Sequence, residues 1–460
     1  MTKTPGTGRV QPVEPKADKA SVRRHNLSLV LRTVHAAGET TRAAVAARVG
    51  LTRAAVSSLV EQLMENGFLV ESGKTFSGQA GRPGTVLKAA DTGPAGLGVE
   101  VNVDYVSVCV VDLAGTDRVR LTESVDNRAA GPAEVLERAA GLAARALEEA
   151  AGHGLRAAGV RLALPGLVSA GTVHQAPNLG WNRVAADRLF ADALTARRPG
   201  RPGLPVASDN EANAAALAEL WFGEAGEART FLHLTGEIGV GGAIVVNGEL
   251  LRGAHGFAGE IGHMVVAPQG RRCRCGSYGC LEQYAGQAAL LRAAGLAPAS
   301  DPYDGQAWAA VPEPSGTGPA TADGPESAGS RQDGDGAGPV GTSGPPAGPA
   351  GVDELARRVD AGEARAVAAV EEAGTMLGLA LSGAVNLLDP ETVVLGGIYP
   401  RLMSRLGPAV EAELGRRVVS GLWTPSAGRL RAASASADAA RGAAAVVLRE
   451  VLADPLSYAA

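Results

Sequence analysis

Aromatic side chains, cysteines and long apolar runs are all scarce in this sequence of 460 residues. Phe, Trp and Tyr make up only 3% of the chain, so aliphatic side chains must fill any core, and hydrophobic periodicity marks element boundaries poorly. No run of about 18 apolar residues is present, which argues against a membrane-spanning helix. The polar amino terminus also lacks the apolar segment of a secretory signal. We therefore expect a soluble, cytoplasmic protein that does not bind membranes.

Charge is distributed unevenly along the chain. The hydrophobic fraction of 45% is enough for globular cores, and the length predicts two or three domains. Residues 1–90 contain 13 Lys and Arg against 6 Asp and Glu, a balance of +7, whereas the whole chain carries −5, so the other 370 residues carry −12. A basic amino-terminal region on an acidic body predicts that only this region contacts a polyanion. A solvated charge bias without a partner would give the same count.

A helix-turn-helix pattern follows residues 1–20, a polar segment that we predict to be a disordered tail. Apolar residues then recur at helical spacing, Thr40 and Thr41 can cap a second helix, Gly50 can end it, and Thr52 can cap a third. Two short strands are predicted at 68–71 and 85–88, with a flexible segment between them. Residues 21–90 are therefore predicted to form a winged helix-turn-helix.

The first turn of the predicted third helix carries small polar and basic side chains that suit a major groove. A basic residue on a wing stiffened by proline can also reach a phosphate or the minor groove. The predicted DNA-binding residues are Arg42, Thr52, Arg53, Ser57, Ser58 and Arg82. Some helix-turn-helix patterns are packing units that never contact DNA, and the positive charge of this region favours the DNA-binding interpretation.

From Gly96 onward, strands and helices alternate, which predicts layered α/β lobes. Strands are predicted within 99–112 and at 160–164, 205–207, 230–234, 241–246 and 392–395, and helices at 132–151, from about 210, and at 363–388. We assign a first lobe to 95–207 and a second to 208–434, with a final helix within 435–455 packing back on the first lobe. Residues 298–350 are rich in Pro, Gly, Ser, Ala and Asp, which predicts an insertion without fixed structure.

Three of the four cysteines lie in one short segment together with a histidine. His263, Cys273, Cys275 and Cys280 are spaced so that a loop can close around a tetrahedral ion, as structural zinc prefers. Disulfide pairing is a poorer account, because Cys273 and Cys275 are too close to pair comfortably and an odd count leaves one thiol over. Structural zinc is predicted here, and free buried thiols are the alternative. Cys109, in an apolar strand-like run, is expected to be such a thiol.

Taken together, these motifs resemble the ROK family, whose name joins repressors, open reading frames and kinases. The motifs occur in order as Pro165-Gly166, Asn178-Leu179-Gly180-Trp181, Asp209-Asn210-Glu211-Ala212-Asn213, Glu260-Ile261-Gly262-His263, the cysteine segment 273–282 and Val394-Leu395-Gly396-Gly397. The resemblance covers nearly the whole chain apart from the tail and the insertion. It implies a two-lobed, actin-like ATPase architecture of the sugar-kinase type with its ligand in the cleft, preceded in the family's repressors by a winged helix.

The resemblance also implies which residues hold a sugar. Amides and carboxylates suit sugar hydroxyls, since each can make two hydrogen bonds at once. The predicted effector-binding residues are Asn178, Asn210, Glu211, Glu260, His263 and Glu282. The zinc loop would turn Glu260 and Glu282 toward one cleft, with His263 as both ligand and orienter. In the alternative interpretation, these two glutamates are only surface charges.

Two departures from the family's kinases favour a regulator. Kinases open the first lobe with a glycine-rich loop whose amides approach the phosphates, whereas here the matching stretch, Glu100-Val101-Asn102-Val103-Asp104, blocks and repels them. A second loop keeps Gly239, Gly241 and Gly242 but places Glu237 beside them. Glu211 occupies the position of the kinases' catalytic Asp, and its extra methylene displaces the carboxylate by roughly an ångström, so we expect it to be inactive as a base.

The sequence thus predicts a sequence-specific DNA-binding transcriptional regulator, most simply a repressor, and not an enzyme. Its partners would be a double-stranded operator, a sugar or sugar phosphate effector, and further copies of itself in a homodimer or homotetramer. The alternatives are a ROK sugar kinase that transfers phosphate from ATP, and a metal-stabilised scaffold without ligand or DNA. The effector, the direction of its effect, a phosphotransferase partner protein and the operator sequence all stay open.

Overall fold

A computed structural model describes residues 18–75, 84–223, 228–297, 349–424, 427–434 and 437–459. Arg82 and most of the predicted tail and insertion lie outside these residues. The predicted ends of the tail, at residue 20, and of the insertion, at residue 350, each need a correction of about two residues. The first helix begins at Lys19, because the Asp18 carboxylate caps it by accepting from the Ser21 amide at 2.7 Å. A helix also begins at Pro349, inside the predicted insertion, at a first position where proline's fixed φ is suitable.

The amino-terminal region folds as three helices and a three-stranded sheet. Its elements are α1 (Lys19–Ala37), β1 (Glu39–Thr41), α2 (Arg42–Val49), α3 (Arg53–Glu65), β2 (Leu69–Thr75) and β3 (Gly84–Ala89), with the strands in the order β1-β3-β2. The predicted caps are present: Thr41 accepts from Ala44, Thr52 accepts from Ala55, and Gly50 ends α2 in the left-handed conformation. This is the predicted winged helix-turn-helix.

The next region is built on a mixed five-stranded sheet. Its elements are β4 (Gly93–Val101), β5 (Tyr105–Asp112), β6 (Asp117–Ser124), α4 (Pro132–Gly152), β7 (Leu155–Leu164), a small sheet of β8 (Leu167–Ser169), β9 (Thr172–Ala176) and β10 (Trp181–Val184), then α5 (Ala186–Ala196) and β11 (Val206–Asn210). The large sheet has the order β11-β7-β4-β5-β6. Aliphatic side chains of this sheet and of α4 form one core, as the scarcity of aromatic residues requires.

A second five-stranded sheet follows. The elements are α6 (Glu211–Phe222), β12 (Phe231–Gly236), β13 (Val240–Val246), β14 (Glu249–Leu250), α7 (Glu282–Ala285), α8 (Gln287–Ala293), α9 (Pro349–Asp360), α10 (Ala364–Leu388), β15 (Thr392–Gly397), α11 (Tyr399–Arg417), β16 (Leu430–Ala432) and α12 (Ala439–Ala453). The strand order is β14-β13-β12-β15-β16. In both large sheets the first three strands form an antiparallel meander. The fourth strand then pairs in parallel with the first, and the fifth pairs in parallel with the fourth.

The last helix, α12, lies where three parts of the molecule meet. It packs on β4 of the first sheet and on α6, and its end contacts α1 of the winged helix. Gly442 permits the crossing with α6, because a Cβ there would lie 1.8 Å from the Ala214 carbonyl oxygen. The carboxy-terminal helix thus packs against the first sheet.

The winged helix and the first sheet share one hydrophobic core. Buried side chains of α1 and α3 cluster with Cys109 and Val111 of β5, with Leu113 directly after β5, and with the apolar face of α12. The buried Ser28 hydroxyl of α1 donates to the Leu452 carbonyl at 2.8 Å, and Arg24 forms an ion pair with Asp454. Because a shared core and these contacts join the two parts, the winged helix is fixed to the first sheet.

Within the described ranges, no single helix is both long and apolar enough to span a bilayer. Helices α2 and α3 have the length and hydropathy of a membrane span only when they are counted together, and the angle between them is 115°.

Candidate functional site

One cavity between the two large sheets brings together all six residues that were predicted to bind an effector. It contains about 780 Å³ of empty space, part of it open to solvent. The six are Asn178, Asn210, Glu211, Glu260, His263 and Glu282, and Glu237, Gly239 and Arg274 also line it. Polar groups from the small β8–β10 sheet, from the start of α6 and from the cysteine segment therefore converge on one space.

The cysteine segment folds so that its four predicted metal ligands meet. One ligand atom from each of His263, Cys273, Cys275 and Cys280 lies within 4.8 Å of all the others. The Cys273 Sγ is 3.8 Å from His263 Nδ1, and the Cys275 and Cys280 Sγ atoms are 3.7 Å apart. Three thiols and one imidazole are a donor set that zinc prefers, so these residues fit a structural zinc ion.

Short backbone contacts give the cysteine segment its shape. The Cys273 amide donates to the Ser277 carbonyl at 2.8 Å, and the Gly276 amide donates back to the Cys273 carbonyl at 3.0 Å. Gly279 is required where the loop closes, because a Cβ there would lie 1.6 Å from the Ala267 carbonyl oxygen. The glycines of the motif thus allow the backbone to bring the three thiols together. Burial also raises the pKa of the Cys280 thiol to about 11.

His263 connects the predicted metal ligands to the cavity. Its Nδ1 faces Cys273, while its Nε2 lies 3.9 Å from the Glu260 carboxylate. On the other side, the Glu282 carboxylate accepts from the Cys273 thiol at 3.6 Å. Both acidic residues therefore contact side chains that would hold a metal, and a bound ion would fix their positions indirectly.

Asn210 and Glu211 enter the cavity at the start of α6. Asn210 caps this helix, with its Oδ1 accepting from the Ala212 amide at 2.8 Å and from the Asn213 amide at 3.2 Å. Its Nδ2 donates to the Gly166 carbonyl and to the Glu211 carboxylate at 2.7 Å. Burial, together with nearby carboxylates, holds the pKa of Glu211 well above its usual range. Both ends of the Asn210 side-chain amide thus form hydrogen bonds within the chain, and its Nδ2 holds the Glu211 carboxylate in place.

Two charged residues of the cavity, Arg274 and Glu237, were not predicted as ligand contacts. Arg274, between two of the cysteines, donates to the Asn178 Oδ1 at 3.0 Å and so links the cysteine segment to the first lobe. Glu237 follows β12, and burial together with Glu100 and Asp104 raises its pKa to about 8. Because Arg274 lies between two predicted metal ligands in the cysteine segment, its sequence position could have indicated that it lines the cavity. Glu237 was noted in the sequence only as a charge that repels phosphate.

The two hairpins that the sequence predicts to correspond to the kinases' phosphate loops are crowded and acidic. Glu100 is 6% exposed at the end of β4 and accepts from the Tyr105 hydroxyl at 2.5 Å. Its pKa is raised to about 7, mainly by burial and then by Asp438. In the second hairpin, a Cβ at Gly239 would lie 2.0 Å from the Glu282 Oε2, so this glycine makes room for a carboxylate. These turns offer carboxyl groups where phosphates would need amide donors.

The predicted DNA-binding residues differ in solvent exposure and in whether their side chains already bond to other parts of the chain. Arg53 and Ser58 are exposed at the start of α3, and Ser57 is half-buried. Thr52 is also exposed, but its hydroxyl caps the helix. Arg42 pairs with Glu71 on the wing strand β2, so its guanidinium holds α2 and the wing together. The exposed first turn of α3 is therefore the part of this set that is open to a partner.

Comparisons with known proteins agree on the family and on the fold. The model of the ROK family matches residues 96–450. A xylose repressor of Caldicellulosiruptor bescii is 34% identical over 269 residues, which cover 58% of this chain and just under two thirds (65%) of the repressor's own length. A glucokinase of Halalkalibacterium halodurans is 42% identical, but only over 139 residues, 30% of this chain and 40% of the glucokinase.

A solved structure of a ROK family transcriptional regulator, described as a homologue of the E. coli MLC protein, covers 95% of this chain and 98% of its own. The TM-score is 0.68 at 23% identity, a level that supports the fold alone. The predicted fold class, a winged helix-turn-helix followed by a two-lobed, actin-like α/β region, is confirmed.

Proposed function

Because this chain belongs to the ROK family, we propose that it is a sequence-specific DNA-binding transcriptional repressor whose operator affinity is controlled by a sugar bound in the cleft. One observation carries the proposal. A polar cavity lined by all six predicted effector-binding residues borders the first sheet, and this sheet shares a core with a winged helix whose third helix exposes its first turn. The xylose repressors among the relatives agree with this assignment.

The charge of the cavity favours an unphosphorylated sugar as the effector. Four carboxyl groups line it, those of Glu211, Glu237, Glu260 and Glu282. Its one guanidinium, Arg274, already donates to Asn178. A phosphate group would face these four carboxyl groups without a free guanidinium, whereas the hydroxyls of a sugar can hydrogen-bond to carboxyl groups and accept from the amide of Asn178. D-xylose is the first candidate to test, followed by glucose.

The path from the cavity to DNA follows α6 and α12. A sugar that contacts Glu211 acts at the first residue of α6, and α6 packs on α12 at Gly442. The far end of α12 is bonded to α1 through Ser28. Since the winged helix moves with the first lobe, closure of the cleft would reorient the recognition helices of a dimer, whose half-sites lie about one helical turn apart. A coupling of about 1–3 kcal/mol would change operator affinity roughly 5- to 150-fold.

Zinc has a structural role in this proposal. Held by His263 and the three cysteines, it would add no reaction chemistry and would fix the loop that carries Glu260 and Glu282. The protein would act in the cytoplasm as a homodimer or homotetramer, because a two-fold operator is matched by a two-fold protein.

A sugar kinase is the second candidate, favoured by the glucokinase match and by the retained Gly241 and Gly242. Against it stand the carboxyl groups of Glu100 and Glu237 on the phosphate side of the cleft. A coupled assay with ATP and a panel of pentoses and hexoses tests it. Turnover above about 1 s⁻¹, within the ordinary range of enzymes, would replace the repressor proposal with a kinase.

DNA binding itself is tested with duplexes from the region upstream of the gene. The repressor should bind one of them with an affinity that falls steeply as salt rises, since phosphate contacts release counterions. Arg53→Ala should weaken binding about tenfold, whereas Arg183→Ala, an exposed arginine far from the winged helix, should leave it unchanged. Equal binding to every duplex, or none, would refute the proposal.

A further inference from the structure

A second cavity adjoins the first and shares Glu211 and Glu237 with it. It holds about 1050 Å³ of empty space, part of it open to solvent, and lies between β12, the start of α11 and the loop before α12. Four carboxyl groups line it, because Glu100 and Asp438 join the two shared glutamates. The proposed repressor function makes no use of this space.

Three of the four carboxyl groups of this cavity, those of Glu100, Glu211 and Glu237, have no ion-pair partner among the described residues, whereas Asp438 pairs with Arg120. Of the two arginines near them, Arg120 is paired with Asp117 and Asp438, and Arg401 is paired with Asp353. Asn102 reaches the Glu237 carboxylate only at 3.5 Å. Glu100 has a firmer partner in the Tyr105 hydroxyl, at 2.5 Å. The cavity therefore has capacity for positive charge that the chain itself does not fill.

His233 supplies an independent sign of a missing partner. It lies on β12, lines the second cavity and is 1% exposed, yet neither ring nitrogen has a hydrogen-bond partner among the described residues. Burial lowers its pKa to about 4, so the imidazole is neutral near pH 7 and can accept one hydrogen bond and donate another. Buried polar groups are nearly always satisfied, so an unpartnered imidazole facing a cavity points to a ligand.

We propose that the second cavity binds a small organic cation with more than one ammonium group, placed between Glu100, Glu237 and His233. Ammonium groups are donors only, which matches carboxylates and a neutral imidazole. A single metal ion fits less well, because among the described residues the one group of three or more His, Cys, Asp or Glu side chains that could hold a metal ion is the group at His263. A nucleotide triphosphate fits worst, since its phosphates would face four carboxyl groups.

The test is isothermal titration calorimetry of the full chain with the polyamine spermidine, and with magnesium chloride and magnesium ATP at equal ionic strength. Spermidine should bind about once per chain and the other two should not. Glu237→Gln and Glu100→Gln should each weaken spermidine binding about tenfold, because each removes a charge-assisted hydrogen bond. Glu249→Gln, at an exposed carboxylate on β14, is the matched control and should change affinity less than twofold.

Proton release gives a readout on the unmutated chain. The pKa of Glu237 is raised to about 8 by burial, Glu100 and Asp104, and that of Glu100 to about 7 by burial and Asp438, opposed by Tyr105 and Arg120. A bound cation favours their charged forms, so binding near pH 7 should release protons and tighten as pH rises from 6 to 8. The observed enthalpy should then vary with the buffer's ionisation enthalpy.

Spermidine that binds the Glu237→Gln and Glu249→Gln variants equally, or that binds without proton release, would overturn the inference. Binding of magnesium ATP in its place would overturn it as well. None of these outcomes depends on DNA binding, so the inference can fail while the repressor proposal stands.

Discussion

The two large sheets share one strand order but carry different attachments. The first is joined to the winged helix through β3 and a common core, whereas the second carries the cysteine segment between β14 and α7. Glu100 and Glu237 stand at equivalent hairpins of the two sheets, and both put a carboxyl group into the second cavity. In the proposed mechanism, the second lobe carries the loop that positions Glu260 and Glu282, and the first lobe would transmit the state of the cleft to DNA.

The largest effect is expected on zinc content and sugar binding, when a cysteine of the second lobe is replaced and compared with the cysteine of the first lobe. Cys280→Ser should reduce bound zinc from about one per chain to near zero and weaken sugar binding by at least about 100-fold, because the loop that carries Glu260 and Glu282 loses its support. Metal analysis and sugar titration measure both. Cys109→Ser is the matched control in the first lobe, and it should keep its zinc. Equal zinc content in the two variants would mean that the cysteine segment is not a metal site.

A smaller effect is expected where the two lobes meet at α12. Gly442→Ala puts a Cβ 1.8 Å from the Ala214 carbonyl, which should cost about 1–3 kcal/mol by overpacking and reduce the effect of sugar on DNA affinity. Gly152→Ala, at a helical glycine with nothing within 4 Å, is the control and should be neutral or slightly stabilising. Thermal unfolding and DNA titration measure the two effects. A full sugar response in the Gly442→Ala variant would show that this crossing does not transmit the signal.

The smallest expected effect is on the pH dependence of the melting temperature when either hairpin glutamate, Glu100 or Glu237, is replaced. Burial raises the folded-state pKa of Glu100 to about 7 and of Glu237 to about 8, from 4.5, so the stability each contributes is present below about pH 4.5 and lost as pH rises through those values. Glu100→Gln should therefore raise the melting temperature at pH 8 by about 2–4 °C relative to the unchanged chain, and by little at pH 5. Glu237→Gln should show the same pattern, but the stabilisation should continue to grow to a pH about one unit higher, whereas Glu249→Gln should show no pH dependence. Parallel melting curves for all three variants would contradict these shifts.

Local signals in the sequence were sufficient for much of this architecture. The caps at Thr41 and Thr52 and the stop at Gly50 depend on neighbours three or four residues away, so the winged helix was predictable. The clustering of His263 with three cysteines was also predictable, because all four residues lie within 18 positions of the chain. Helices α5 and α11 were missed because alanine and glycine blur the apolar pattern, and because Pro408 stands inside α11.

Long-range packing was not readable from the chain. The bond from Ser28 to Leu452 joins residues 424 positions apart, and no local pattern indicates such a contact. Cys109 was predicted to be buried, but its place in the core shared with the winged helix follows only from the fold. His233 gave no signal, since a lone histidine in an apolar strand reads as an ordinary core residue.

The most direct test of the central claim is fluorescence anisotropy of labelled operator DNA with the full-length protein, at fixed salt, with and without D-xylose or glucose. The account predicts tight binding without sugar and a loss of affinity of at least about fivefold when the cleft is filled. It also predicts that Glu282→Gln, in the cavity, loses the sugar response and keeps DNA binding. An operator affinity that no sugar changes, while calorimetry shows the sugar bound, would contradict it.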